Sequence, residues 1–126
     1  MRMDIIISNA SGHPIYEQIA RQIKNLIISG DLNEGDPLPS MRLLARELRI
    51  SVITTKRAYE ELERDGFIDT RTGKGSFVAA ANIDFMREEH LRTIEEHLKQ
   101  VVSSANITGL TLEELVEMLT LIYREE

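Results

Sequence analysis

Residues 38–79 carry the pattern that most restricts how this chain folds: two short amphipathic segments lead directly into a glycine-rich turn between apolar residues. Ser40 is the expected N-cap of a first helix. Its inner face is predicted to consist of Leu43, Leu44 and Leu48. Ser51 and Thr54 are expected to cap a second helix, which is predicted to bury Ala58, Tyr59 and Leu62 and to stop at Gly66. Two helices joined by so short a break predict a helix-turn-helix.

A hairpin is predicted immediately after the second helix. Residues 67–70 and 76–78 flank the sequence RTGKG, in which Gly73 and Gly75 supply the positive φ angles of a tight turn. Arg71 and Lys74 lie at its tip, where they would meet the DNA backbone or the minor groove. The whole pattern predicts a winged helix-turn-helix, a motif that places its second helix in the major groove of DNA.

The residues before this motif complete its core. The apolar run at residues 3–7 is compatible with a strand, and a helix is predicted from Pro14 to about Ser29, closed by Gly30. Residues 30–39 contain two glycines and two prolines. We expect them to form an ordered loop that returns to the core through Leu32 and Leu38.

Two further helices are predicted after residues 79–82, at about 84–104 and from the capping box Thr111–Glu114 onward, joined at residues 106–109. Their apolar positions form one seam and predict a symmetric dimer; the interface residues are Leu91, Ile94, Leu98, Val101, Leu115, Leu119 and Ile122. A small amphipathic effector is expected near Met86, Met118 and Tyr123. The predicted fold class is mainly α with a small β wing, with a DNA-binding domain at residues 1–80 and a helical dimerisation tail at 81–126.

A net charge of −6 is unusual for a protein that binds DNA, but the charge is unevenly distributed along the chain. Residues 1–80 hold 11 basic and 11 acidic side chains, whereas residues 81–126 hold 4 and 10. Residues 40–57 hold five basic side chains and one acidic one. Phosphates would experience this local field, because charges further away than about 10 Å are screened. The alternative to DNA contact is a solvated basic face that forms salt bridges with Glu47, Glu60 and Glu61. Arg46 and Arg57 fit the role of salt-bridge partner as well as that of phosphate ligand.

Other functions are disfavoured by the residues present. The chain has no cysteine, and no nucleophile, base and acid fall in a catalytic frame, so we predict no enzyme, cofactor or metal site. His90 and His97 are two helical turns apart, roughly 10 Å, which is too far for one ion. TGKGS lacks the spacing of a nucleotide-binding loop. No signal peptide or membrane-spanning run is recognisable, so a soluble, cytoplasmic protein is expected.

Three motifs, LPSMR, AYEELERDG and GKGSFV, resemble those of the GntR family of bacterial transcription regulators. The short tail of two helices is similar to the YtrA-type subfamily. The apolar seam and the winged helix together predict a homodimeric repressor bound to a pseudo-palindromic operator of double-stranded DNA. The resemblance agrees with this prediction. It also implies control of an operon that encodes an ABC transporter.

The resemblance implies specific DNA contacts. Arg42 corresponds to the arginine that reaches phosphate or base, Lys56 to the basic position facing the groove, and Gly73 with Lys74 to the wing tip. The first turn of the recognition helix corresponds to Ser51, Val52, Ile53 and Thr54. Many relatives have Arg or Pro and then a polar residue where this chain has Val52 and Ile53, so these side chains would contact thymine methyls or contribute little specificity.

Two other interpretations, in which the protein does not bind operator DNA, compete with that of a DNA-binding regulator. A winged helix can serve as a protein-interaction module that docks through its basic face or its tail and never binds DNA. Binding of double-stranded RNA is less favoured, because the narrow A-form major groove excludes a helix. Steep salt dependence of DNA binding separates the DNA interpretation from the protein-interaction interpretation.

Overall fold

The computed structural model describes residues 3–79 and 83–125. They form two compact units, divided in sequence between Met86 and Arg87. The predicted domain boundary after Ala80 lies outside the described residues. The elements in chain order are α1 (Ile15–Ser29), α2 (Met41–Leu48), α3 (Val52–Arg64), β1 (Ile68–Arg71), β2 (Gly75–Val78), α4 (Ile83–Thr108) and α5 (Leu112–Glu125).

The first unit is a helical core closed by an antiparallel hairpin, as predicted. Helix α1 starts after Pro14 and ends at Gly30, whose φ of 89° gives the left-handed cap. Both α1 and α2 pack against α3. The largest fully buried side chains come from all three helices and from β1: Ile19, Ile23, Ile27, Leu44, Thr55, Tyr59, Leu62 and Ile68. Aliphatic burial of this kind supplies most of the folding free energy of so small a unit.

The N-terminal segment is extended but does not form the strand that its apolar run suggested. Side chains of α1 bind its backbone in place of a partner strand. The Ile6 N–H donates to Oε1 of Gln22 at 2.9 Å, and Nε2 of Gln22 donates to the Ile6 carbonyl at 2.7 Å. Nearby, the Ser8 N–H donates to Oε1 of the buried Gln18 at 2.8 Å. Met3 and Ile5 are thereby held against the core.

The loop at residues 30–39 is ordered and buries Leu32 and Leu38, as predicted. It also extends the hairpin: the Leu38 N–H donates to the Ser76 carbonyl, and the Val78 N–H donates to the Asp36 carbonyl, both at 2.9 Å. Strand β2 therefore has hydrogen-bonded neighbours on both edges. This pairing ties the base of the hairpin to the residues that lead into α2.

Helix α5 and most of α4 form the second unit. Helix α4 continues four residues past the predicted end at Ser104, so the predicted turn at 106–109 is wrong and the chain reverses at 109–111. Gly109 determines this, because its φ of 75° lets the Leu110 N–H donate to the Ala105 carbonyl at 2.9 Å. The predicted capping box is confirmed by the Glu114 N–H donating to Oγ1 of Thr111 at 3.2 Å.

No helix in the described part of the chain is both long enough and apolar enough to cross a membrane.

Candidate nucleic-acid interface

Helices α2 and α3 form a capped helix-turn-helix. The Leu43 N–H donates to Oγ of Ser40, and the Thr54 N–H donates to Oγ of Ser51, each at 3.1 Å. These are the N-caps expected from the sequence. Three residues separate the helices, and Arg49 makes the reversal with φ 57° and ψ 47°. It is the one non-glycine residue with positive φ among residues 3–79 and 83–125.

The start of α3 is exposed, as a helix that contacts base edges must be. Ile53 is 79% exposed and Val52 is 44% exposed. Thr54 is half-buried, and its Oγ1 lies 2.8 Å from Oγ of Ser51 within the cap. Lys56 is exposed one turn further along the helix. The residues Thr55, Ala58 and Tyr59 are buried, so the helix presents only one face to solvent.

Leu43 departs from its predicted place on the inner face of α2. It is 38% exposed, whereas Leu44 and Ala45 are buried. The buried face of so short a helix is a stripe of positions three or four apart, and Leu43 lies off the stripe that Leu44 and Leu48 define. Leu43 therefore lies at the edge of the core, beside Pro39 and Leu48.

Most of the basic side chains of α2 and α3 are available to a ligand. Arg42, Arg46 and Arg49 are exposed, and no ion pair engages them within the described residues. Lys56 has only Glu60, with Nζ 3.9 Å from Oε1 on an exposed surface. Exposed pairs of this kind contribute about 0.2–1 kcal/mol, so a phosphate can replace the carboxylate.

Arg57 has a structural partner that sequence reasoning missed. Its Nη2 atom donates to the hydroxyl of Tyr16, 41 positions earlier, at 3.3 Å, and its guanidinium stacks on the tyrosine ring. Arg57 is therefore tied to α1 rather than to Glu47, Glu60 or Glu61. No local pattern could have revealed the contact, since it depends on how α1 packs against α3.

A second missed contact fixes α3 to the entrance of α2. The Tyr59 hydroxyl donates to the Pro39 carbonyl at 2.7 Å, one residue before the Ser40 cap. Burial raises the pKa of Tyr59 above its ordinary value of 10. Helical spacing predicted that Tyr59 is buried but could not indicate what its hydroxyl binds.

The hairpin presents its basic tip to solvent. Gly73 and Gly75 have φ angles of 76° and 103°, as the turn was predicted to require. Lys74 is exposed between them. The guanidinium of Arg71 lies 4.9 Å from the ring centroid of Phe77, so this side chain is held across the hairpin while its charge stays accessible.

The second unit exposes the apolar seam that was predicted from the sequence. Leu91, Ile94, Leu98 and Val101 on α4 are exposed, as are Leu119 and Ile122 on α5, whereas Leu115 is half-buried. An apolar groove of about 260 Å³ lies between the two helices. Its lining includes Leu98, Val101, Val102, Leu115, Met118 and Leu119.

The part of the chain that the structure describes contains no group of three or more histidine, aspartate or glutamate side chains that could hold a metal ion.

Comparison with known proteins finds similarity to transcriptional regulators along most of the chain. Residues 15–78 match the family described as "Bacterial regulatory proteins, gntR family". The HTH-type transcriptional repressor YtrA of Bacillus subtilis is 40% identical over 113 residues, which span 90% of this chain and 87% of the repressor.

Two solved structures extend the similarity to three dimensions. YtrA from Sulfolobus acidocaldarius, a GntR-family transcription factor, is 38% identical, with a TM-score of 0.59 over 76% of this chain and 97% of that one. A transcriptional regulator from Oenococcus oeni is 28% identical, with a TM-score of 0.67 over 93% and 97%. Both comparisons cover more of this chain than residues 15–78.

Proposed function

Because this chain belongs to the GntR family of bacterial regulatory proteins and is a DNA-binding transcriptional regulator, we propose that it acts as a homodimeric repressor. Two copies would place two α3 helices in successive major grooves of a pseudo-palindromic operator. The exposed and uncovered N-terminus of α3 is the observation that carries the proposal. A regulator that acts on a bacterial chromosome works in the cytoplasm, and we propose that location.

We propose three groups of DNA contacts, each supported by exposure and charge. The first turn of α3 and the lysine that follows enter the major groove: Ser51, Val52, Ile53, Thr54 and Lys56. Arg42, at the start of α2, contacts a phosphate, where the helix N-terminus also favours negative charge. At the hairpin, Arg71, Gly73 and Lys74 contact the adjacent backbone or the minor groove.

The distribution of charge along the chain supports DNA binding by the helix-turn-helix. The five basic side chains of residues 40–57 face a single acidic one, whereas residues 81–126 hold 10 acidic and 4 basic side chains. Duplex DNA repels the acidic segment and attracts the basic one. The helix-turn-helix is therefore the part of the chain that we propose binds DNA.

We propose that a second copy of this chain covers the apolar seam of α4 and α5. A two-fold contact is self-complementary, so one seam satisfies both copies. Isolated pairs of helices do not leave this much aliphatic surface in water without cost, since each buried leucine contributes roughly 1.5–3 kcal/mol. Similarity to YtrA of Bacillus subtilis spans 90% of this chain and therefore reaches into the tail.

Release from the operator requires a ligand that favours one arrangement of the dimer, because a ligand shifts an equilibrium only through its different affinities for two states. We propose an unidentified small amphipathic effector in the second unit, near Met118 and Tyr123. Met86, which was expected beside them, belongs to the first unit and packs against its core. Met118 lines the groove of the second unit. The resemblance to the YtrA type extends the proposal to an operon encoding an ABC transporter.

The experiment is selection of bound sequences from random double-stranded DNA with the purified full chain. The proposal predicts an inverted repeat whose half-site centres are about one helical turn apart, roughly 34 Å. Enrichment of no sequence, with binding that does not respond to salt, would favour the protein-interaction module instead.

A further inference from the structure

Ile53 is the most exposed large apolar side chain in the described part of the first unit, at 79%. A single exposed isoleucine is common on protein surfaces and needs no explanation by itself. Its position is what matters, because Ile53 is the second residue of α3, at the end of the helix that reaches base edges in helix-turn-helix proteins.

The polar side chains around Ile53 are already engaged. Oγ of Ser51 accepts the Thr54 N–H and lies 2.8 Å from Oγ1 of Thr54, so both hydroxyls serve the cap. Arg57 is held by the ring and hydroxyl of Tyr16. Hydrogen-bond readout by the hydroxyls and the arginine of the first two turns of α3 is therefore restricted.

Ile53 and Lys56 lie three residues apart, on the same face of α3. Glu60 lies on that face one turn further from the N-terminus, 3.9 Å from Lys56. From the N-terminus of α3 onward, this face thus presents an apolar side chain, a cation and a carboxylate. This order suits a duplex that offers an apolar group at the groove floor and phosphates at the groove edge, with the carboxylate furthest away.

We infer that Ile53 reads the 5-methyl group of a thymine in each operator half-site. The inference rests on the proposed function, because it requires α3 to enter the major groove. Thymine is the natural base that presents an apolar group there, and aliphatic side chains recognise it by burying that methyl. The preferred operators therefore carry an A·T pair with its thymine facing Ile53.

The test uses the operator obtained by selection and replaces each thymine in turn with deoxyuridine, which removes only the methyl group. At one position in each half-site, wild-type affinity is expected to fall about fourfold, the value of one methyl group removed from water. Ile53→Ala is expected to bind more weakly and to show no additional decrease at that position. Replacing the T·A pair with 5-methylcytosine·guanine should restore more wild-type affinity than unmethylated cytosine·guanine does.

Ile6→Ala is the matched control, because Ile6 is 77% exposed and lies outside the helix-turn-helix. This variant is expected to keep wild-type affinity and the fourfold decrease with deoxyuridine. If deoxyuridine has no effect at any position, or has the same effect on Ile53→Ala, the inference is overturned while the proposed function stands. If selection recovers no bound DNA, the proposed function fails and the inference fails with it.

Discussion

The guanidinium carbon of Arg57 on α3 lies 4.0 Å from the ring centroid of Tyr16 on α1, and the Tyr16 hydroxyl donates to Oε1 of Glu17 at 3.3 Å. This stack holds the second turn of α3 against the rest of the first unit. It also removes one arginine from the set available to DNA. The orientation of α3 therefore depends on a side chain of α1 that does not belong to the helix-turn-helix.

Replacement of either partner is expected to reduce stability, because the stack between the ring and the guanidinium is removed. In a double-mutant cycle of Tyr16→Ala and Arg57→Ala, we predict a coupling of about 0.5–1 kcal/mol in the free energy of unfolding, measured with urea. The corresponding cycle of Tyr16→Ala with Arg46→Ala serves as the control and should show additive effects. Additivity in the Arg57 cycle would mean that the stack contributes nothing.

Tyr59→Phe removes the hydrogen bond between α3 and the Pro39 carbonyl. We predict a decrease of about 1 kcal/mol in the free energy of unfolding near neutral pH. Burial raises the pKa of Tyr59 in the folded state above 10, so the folded state retains this proton more strongly than the unfolded state. The resulting stability is complete below pH 10 and is lost as the pH rises above 10.

Comparison of the two proteins across alkaline pH isolates that contribution. Above pH 10, the wild-type free energy of unfolding should fall more steeply than that of Tyr59→Phe, by at most about 1.4 kcal/mol per pH unit. Parallel pH profiles would show that the Tyr59 hydroxyl does not titrate differently in the folded state.

Arg49 adopts a strained conformation to make the turn between α2 and α3. Arg49→Gly is expected to raise the free energy of unfolding by about 0.5–1 kcal/mol, because glycine adopts φ 57° without strain. Arg49→Ala removes the same charge but keeps the strain, so it should give no such increase. Equal urea midpoints for the two variants would contradict the strained turn.

Leu98→Glu and Val101→Glu place a charge in the exposed seam of α4 and are expected to prevent dimerisation. Analytical ultracentrifugation should give twice the chain mass of 14.4 kDa for the wild type and the single mass for these variants. Ile107→Glu is the control, because Ile107 is exposed on α4 outside the predicted interface. A wild-type protein that sediments at the single mass would rule out the proposed dimer.

Features with a short sequence range were predictable. The caps at Ser40, Ser51 and Thr111 and the glycine turn at 73–75 each depend on a few adjacent residues, so their chemistry can be read directly. The burial of Tyr59 and Leu62 follows from helical spacing. Their order along the chain predicted DNA binding, and the family resemblance gave the same function.

Features that depend on packing between distant segments were not predictable. The contacts of Arg57 with Tyr16 and of Tyr59 with Pro39 join residues 41 and 20 positions apart. The apolar run at residues 3–7 is compatible with a strand, but hydrophobic pattern alone cannot show that the Gln22 side chain binds its backbone instead. The predicted end of α4 at Ser104 is too early, because the left-handed conformation that ends the helix occurs at Gly109 and the helix continues to Thr108.

Lys56 lies in the N-terminal half of α3, the part of the helix that we propose contacts duplex DNA. Lys56→Ala removes a cation that we propose faces a phosphate, whereas Lys99→Ala removes a lysine with a similar exposed glutamate partner in the tail, Glu95 at 3.6 Å. The measurement is operator affinity as a function of salt concentration for the wild type and both variants.

We predict that Lys56→Ala binds more weakly than wild type and that its plot of log affinity against log salt is shallower by about 1 for each phosphate that Lys56 neutralises. Lys99→Ala should match the wild type. Equal slopes and affinities for the wild type and Lys56→Ala would contradict the proposed role of α3.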